Sequence, residues 1–404
     1  MADPASIATG RNVSLFAGDI SSRSEEISAA FRDRRVLVIG GAGSIGAATV
    51  RAILPYRPAA LHIIDHNENG LADLVRDLRS AGIVDASLDL QLMPLDYGAP
   101  VAHRFLSLAG PYDVVLHFAA LKHVRSEKDV ASILQMLDTN VLKQQQFISW
   151  LAEEGLPERY FAVSTDKAAN PANFMGASKR LMEQLLFTDG CSELSGAKRT
   201  SARFANVAFS AGSLLASFGD RIRNRQPIAV PCDTRRFFVS VDEAAEICIL
   251  SAVAVPDRHV AIPRMHEADD LHELTPIAEE FVKRAGYRPR SYEDEELARS
   301  SVEKDAAGGA WPILSTPRDT EGEKEREVFL GKDEEAREIG LSALLGVAQS
   351  GADKEALQAT ISELRDLTDH PHQLVTKTDL AEALQRAIPE FEPIRSGKTL
   401  DDRM

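Results

Sequence analysis

Cysteine is scarce in this chain of 404 residues: Cys191, Cys232 and Cys248 are odd in number and lack the spacing of metal ligands. That excludes a disulfide scaffold and a cysteine metal site, and it fits buried, inert thiols in a reducing cytoplasm. No metal is assigned. Long hydrophobic runs are missing too. The apolar stretch 247–255 falls far short of the roughly 20 residues that cross a bilayer, and no secretory signal opens the sequence, so the expectation is a soluble, cytoplasmic protein without a membrane span. Positive charge is outnumbered, 46 Lys and Arg against 61 Asp and Glu for a formal net charge of −15. Spread rather than clustered, these charges argue against a nucleic-acid partner, which needs a basic surface along the phosphate backbone. Any anionic ligand must then be held by a local site.

What is present is alternation. Residues 1–33 are mixed in character and read as an N-terminal arm, with "SEEISAAFRD" as a short amphipathic helix. From Arg35 the run "RVLVIGGAGSIG" reads as strand and glycine loop, and "AATVRAIL" as a helix ended by Pro55. "ALHIID" and "ENGLADLVRDLRSAG" repeat strand and helix; "DVVLHFAAL" and "YFAVSTD" are further strands flanking the long helical stretch "SILQMLDTNVLKQQQFISWLAEEG". The pattern predicts an α/β Rossmann fold, a doubly wound parallel sheet over 34–262, followed by a smaller substrate lobe over 263–345 and a helical extension over 346–404 that serves as a lid or subunit contact.

Gly40, Gly43 and Gly46 lie after a strand and before a helix, with Ser44 and Ile45 at the loop–helix junction. Glycines permit a tight turn and close backbone approach, and a helix N-terminus offers free N–H groups to a pyrophosphate. Asp65 ends the second strand about 20 residues later, where a carboxylate accepts from a ribose diol and repels a 2′-phosphate, favouring NAD over NADP. The same Asp could cap the next turn. Asp96 is a candidate for the adenine amino group or a solvated turn residue; Ala119 and Ala120 sit at a strand end where small side chains admit a cofactor or simply pack. Asn140, a poor helix former inside a helix, is expected to bridge helix and strand.

The segments "IGGAGSIGAATV", "AALKHVRSEKD", "STDKAANPANFMGASK", "FANVAFSAGSLLASF", "RRFFVSVDEA", "DTEGEKEREVF" and "LDDRM" together resemble the polysaccharide-biosynthesis branch of the extended short-chain dehydrogenase/reductase family, which includes UDP-N-acetylglucosamine 4,6-dehydratases. The resemblance implies bound NAD, a UDP-sugar substrate, a homo-oligomer of at least two chains, and three linked steps: hydride transfer from C4, loss of the C5 proton and C6 water, and hydride return to C6. It assigns the elimination to Thr165, Asp166 and Lys167, with Asp166 protonating the departing hydroxyl, a lysine of lowered pKa at 167 taking the C5 proton, and Thr165 bonding the C4 oxygen. Lys179 would hold the nicotinamide ribose. Met175 stands where most short-chain dehydrogenases carry a tyrosine; the resemblance links methionine to retention of configuration at C5. A thioether has no ionisable hydrogen, so Asp166, through Thr165 or a water, is expected to take the C4 hydroxyl proton before donating one at C6.

On the substrate side the resemblance points to Lys122, His123, Asn206, Ser213, Arg236, Glu323 and Lys324. Around Asn206 the family reads RYGNVxGSRGS, whereas this chain has Ala205, Phe209 and Ala211. As a plain turn, Ser164 to Lys167 would be a helix cap with a solvated charge pair, and Arg236 a surface ion pair. The competing functions are an epimerase or dehydrogenase of the same fold, and a non-catalytic NAD-binding protein.

Overall fold

A computed structural model describes residues 4–122, 127–191, 193–317, 327–370 and 372–393. Its main sheet has nine strands, in the order Ala336–Glu338, Leu344–Ala348, His259–Pro263, Lys198–Ala202, Arg159–Val163, Val114–His117, Arg35–Ile39, Ala60–Ile64 and Asp89–Met93. The pairings from His259–Pro263 through Asp89–Met93 are parallel, and the two strands at the opposite edge are antiparallel. Strand order reverses between Arg35–Ile39 and Val114–His117, the switch point where such sheets bind ligands beyond their carboxyl ends.

Alternation along each strand divides the core. Val36, Val38, Leu61, Ile63, Leu116 and Phe161 face the layer of helices Ser44–Ile53, Glu68–Ser80 and Val241–Val253. Their neighbours Leu37, Ile39, Ile64, Val115 and Tyr160 face helices Pro100–Ala109, Lys143–Glu154 and Phe174–Phe187. Both faces are covered, which is why the strands read as continuous apolar runs.

The helical stretch read as one element is interrupted. Val130–Leu137 and Lys143–Glu154 are joined by a π-helical turn at Asp138–Leu142. Asn140 lies inside that turn; its Oδ1 accepts from Leu121 N (2.8 Å) and its Nδ2 donates to Leu121 O (3.0 Å) and Ser178 Oγ (2.9 Å). Its bridge thus joins the loop after Val114–His117 and helix Phe174–Phe187, rather than a strand. Two three-stranded sheets, one of Asn206–Val207, Arg235–Val239 and Leu271–Glu273 and one of Ile228–Pro231, Arg288–Tyr292 and Ala310–Thr316, lie outside the main sheet. The strand Lys198–Ala202 ends before Arg203, which turns into a charged cluster ahead of the short strand Asn206–Val207.

The N-terminal arm is anchored. Arg11 grips Glu243 through Nε (3.0 Å) and Nη2 (3.0 Å), and Asp19 accepts from Ser342 N (2.7 Å) and Ala343 N (2.8 Å). At the other end, helices Lys354–Asp369 and Lys377–Ala387 pack Leu357, Ile361, Leu364, Leu380 and Leu384 against Ile133, Leu137, Leu181 and Leu185. Phe391 meets Phe174 edge-on at 5.5 Å, and Gln184 Nε2 donates to Ala387 O (2.9 Å).

Arg203 is fully buried. It donates through Nε (2.8 Å) and Nη2 (2.6 Å) to Glu183 and through Nη2 (2.9 Å) and Nη1 to Glu334, which also accepts from Arg180 Nη1 (2.8 Å). Burial works to raise the Glu334 carboxyl, yet the two arginines outweigh it and hold the group down at about 2. A carboxyl depressed on folding stabilises the native state above its ordinary value, and that contribution is lost as pH falls toward about 2. Arg203→Met leaves Glu183 buried without its main partner and should cost about 3–5 kcal/mol. Urea unfolding of the two proteins should show this deficit at neutral pH and a smaller one below about pH 4, as the carboxylates protonate.

Candidate active site

The glycine loop is shaped by its neighbours. Gly40 has φ of +81°, and a Cβ there would lie 2.4 Å from Ala119 N; one on Gly46 would lie 2.3 Å from Gly40 O. Both positions exclude a side chain for reasons internal to the protein. Gly43 differs, because its Cβ would meet only Gly40 O at an ordinary 3.5 Å. It caps helix Ser44–Ile53 without a side-chain hydrogen bond, so the helix N-terminus is open toward the space above the loop.

Asp65, buried at the tip of Ala60–Ile64, accepts from Ala42 N at Oδ2 (2.9 Å) and from Asn67 N at Oδ1 (2.9 Å). It therefore ties the glycine loop to the next turn, the capping role foreseen as its alternative. Asp96 is exposed and bonded to Lys143 Nζ (2.6 Å) and Gly98 N (3.0 Å). Its partial burial opposes ionisation, but those two donors prevail and hold its carboxyl below the usual range. Ala119 and Ala120 follow the end of Val114–His117, with Ala119 against Gly40. Ser44 Oγ accepts from Ala211 N (2.9 Å), and Lys122 Nζ donates to Ala211 O (3.1 Å), so the loop at 211 is clasped to the glycine loop. Ile45 lies in the first turn of the helix, its carbonyl accepting from Thr49 Oγ1 (2.8 Å).

The turn Asp166–Ala168 follows strand Arg159–Val163. Asp166 is 5 % exposed, and its Oδ1 accepts from Thr165 Oγ1 (2.8 Å) and Lys167 Nζ (3.2 Å). No described residue donates to Oδ2. The pair is half-solvated, its carboxyl buried and its lysine side chain 35 % exposed, and Oδ1 carries both bonds. Helix Phe174–Phe187 approaches this turn closely, since a Cβ on Gly176 would lie 2.5 Å from Lys167 O. Asn173 caps the helix through Gly176 N (2.8 Å), and Glu127 accepts from Phe174 N (3.0 Å) and Met175 N (2.9 Å).

Met175 is buried at 4 % exposure, on the same helix as Lys179, which is 6 % exposed. Burial lowers Lys179 to about 8, with Glu183 one turn on acting in the opposite sense. Among the described residues its ammonium has no hydrogen-bond or ion-pair partner, the mark of a group awaiting a ligand. His117, whose Nδ1 bonds Tyr160 OH (2.7 Å), is pushed down to about 3 by burial and then by Lys179, so it is neutral.

On the far side of the cleft Asn206 Nδ2 donates to Glu327 Oε1 (2.6 Å) and Arg236 Nε pairs with the same carboxylate (3.1 Å). Glu327 is 8 % exposed and close enough to Asp166 to feel its charge. This residue was missed from the sequence, where it ends a mixed-charge run indistinguishable from a solvated surface. Ser213 caps helix Leu214–Arg223 through Ala216 N (3.3 Å). Phe209, which replaces a family glycine, stands at φ +56° and stacks on Phe281 at 5.8 Å. Left-handed backbone is costly for a bulky residue, and the ring contact offsets it. His123, Glu323 and Lys324 lie outside the described residues. No metal-binding cluster occurs among the described residues, and no helix there is long and apolar enough to cross a membrane.

Comparison with known proteins places the chain. "Uncharacterized membrane protein MJ1061" of Methanocaldococcus jannaschii is 30% identical over 284 residues, 69% of this chain and 81% of the relative. "UDP-N-acetylglucosamine 4,6-dehydratase (inverting)" of Campylobacter jejuni is 27% identical over 256 residues, 61% of this chain and 72% of that enzyme. Two further curated relatives, from Bacillus subtilis and Staphylococcus aureus, are longer, the matches covering 51% and 36% of them. Among solved structures, Pen from Bacillus thuringiensis superposes with a TM-score of 0.63 at 22% identity, over 83% of this chain and 98% of its own, and so shares the fold. The sequence profile of the family described as "Polysaccharide biosynthesis protein" matches residues 36–344, well over half of the chain, and the protein belongs to that family.

Proposed function

We propose that the protein is an NAD-dependent 4,6-dehydratase of a UDP-N-acetylhexosamine, with UDP-N-acetylglucosamine as the first substrate to test. The observation that carries this reading is the turn at the tip of Arg159–Val163, where a buried carboxyl and an amine touch at 3.2 Å and one carboxyl oxygen has no donor among the described residues. An epimerase needs no such acid beside a base, because it returns an isomer without losing water. The similarity to the Campylobacter jejuni dehydratase supports the same reading.

The residues at the glycine loop suit a dinucleotide. The loop at Gly43 and the open helix N-terminus would hold the pyrophosphate, Asp65 the adenosine ribose through its remaining lone pairs, and Lys179 the nicotinamide ribose. When bound, NAD supplies the hydride acceptor for C4 and the donor for C6. Thr165 bonds the C4 oxygen, and Asp166 takes the C4 hydroxyl proton through Thr165 or a water. Lys167 removes the C5 proton. Asp166 gives the proton it took from the C4 hydroxyl to the C6 hydroxyl, which leaves as water and returns Asp166 to the carboxylate, and Lys167 hands the proton it took back to C5 as C6 is reduced. The buried methionine adds no acid or base, so proton transfer is concentrated on one turn. In this reading Asn206 and Arg236 serve the sugar diphosphate, with retention at C5. The apolar face of the helix carrying Lys179 is covered by the chain's own C-terminal helices, so an oligomer would form through another surface.

Incubation with UDP-N-acetylglucosamine should give a product lighter by one water, seen by mass spectrometry, without accumulation of NADH. Asp166→Asn should slow its formation by about 10²–10⁴-fold, the usual loss of a general acid; an isomer of unchanged mass would exclude the dehydratase. For the cofactor, Gly43→Ala should fold normally yet bind NAD weakly in calorimetry, because only a ligand needs that space. Gly46→Ala, clashing with Gly40 O, should lose both the loop and the cofactor.

A further inference from the structure

Asn206 and Arg236, the two residues given to the sugar diphosphate, stand on one small sheet, and the N-terminal arm holds that sheet. Arg235–Val239 is its central strand; Asn206 lies opposite Phe238 on one side and His272 opposite Arg236 on the other. Both substrate residues also meet Glu327, so a shift of the central strand moves them together.

Arg11 binds around this strand at three places. Its Nη2 donates to Phe238 O (2.9 Å) on the strand itself. Its Nε and Nη2 meet Glu243 (3.0 Å each), in the first turn of the helix that follows, and its Nη1 meets Asp270 (2.8 Å), one residue before the outer strand Leu271–Glu273. Both carboxylates are buried and tied to their own elements: Glu243 accepts from Ser240 N (2.8 Å) and Asp270 from His266 N (2.8 Å). A planar fork can serve such acceptors in fixed directions, whereas an ammonium is a point charge. Gly10, at φ +66°, ends helix Ala5–Thr9 and turns the chain so that Arg11 enters. Ala5 and Ala8 of that helix pack in one cluster with Ala208, Phe238 and Leu274.

We infer that Arg11 is a positioning residue for the nucleotide sugar, fixing the central strand and with it the directions in which Asn206 and Arg236 point. The link to a substrate rests on the dehydratase reading; the hold on the sheet does not. Without the guanidinium, two buried carboxylates would flank an emptied space and Phe238 O would lose a donor, a cost that falls on the strand between them. The glycine loop supplies none of the partners of Arg11, so the effect should spare the cofactor.

Kinetics with UDP-N-acetylglucosamine, calorimetry with UDP and with NAD, and hydrogen exchange of the full chain test this. Arg11→Met should raise KM about 10- to 100-fold with kcat within about twofold, the pattern of binding lost equally from ground and transition states. UDP affinity should fall by a similar factor while NAD affinity holds. Amides of 206–207 and 235–239 should exchange faster, and those of 35–39 and 114–117 should stay protected. Arg11→Lys, which keeps the charge without the fork, should fall between, and it carries the test if Arg11→Met does not fold. Arg23→Met removes the arm's bond to Gly340 O (2.8 Å) and should leave KM and exchange at their wild-type values. An unchanged KM and UDP affinity overturns the inference. So does an equal loss of NAD affinity and main-sheet protection, which would make Arg11 a brace for the whole fold. A wild type that neither converts nor binds the UDP compounds, but whose small sheet alone loosens in Arg11→Met, rejects the reaction and keeps the hold on the sheet.

Discussion

A guanidinium with no access to water, Arg203, constrains the rest of the molecule. Taking a charge out of water costs several kcal/mol unless its hydrogen bonds are met, and the groups that meet them come from separate parts of the chain. Glu183 belongs to the helix that carries Met175 and Lys179, and it also accepts from Ser164 Oγ (2.5 Å), two residues before Asp166. Glu334 belongs to the segment that brings Glu327 to the cleft. Arg180 joins both, and reaches Glu390 beyond the last helix (3.2 Å). None of these pairings is worth making alone, so the helix, the turn and the returning segment are stable together or not at all.

That shared anchor explains how a site with charged groups from distant stretches of sequence keeps a fixed geometry. Gly176 lets the helix press against the turn, and the Asn140 bridge fixes the loop after Val114–His117 to the same helix through Ser178. The π turn around Asn140 widens the helix by one residue where its amide must leave the helical pattern, a common accommodation at functional positions. The buried amine of Lys179 is then held by packing rather than by a partner of its own among the described residues, and Asp166 keeps one carboxyl oxygen without a donor there. Groups left in that condition are the ones able to respond to a ligand.

Much of the fold was legible because it is written in local patterns. Alternating apolar runs, glycines at the first strand–helix turn and leucines at helical spacing each report on a few neighbouring residues, and they led to the parallel sheet, the glycine loop and Asp65. The turn at 165–167 stood out through its resemblance to a family. What was not legible depends on distance along the chain. Nothing near Arg203 announces that Glu183 and Glu334 will surround it, and "EGEKERE" conceals which glutamate goes inside. The substitution of Phe209 for a family glycine was visible as a departure. Its meaning came only with the left-handed backbone and the Phe281 ring that compensates it.

The covering of Ile133, Leu137, Leu181 and Leu185 by residues 354–391 has a consequence for biosynthesis. Those covering helices emerge from the ribosome after every strand of the main sheet has been made. Until they arrive, a nascent Rossmann sheet presents an oily stripe on the very helix that carries the buried lysine, a surface of the sort that chaperones recognise and that sticks to other chains. Synthesis of residues 354–391 is thus also the event that seals this face.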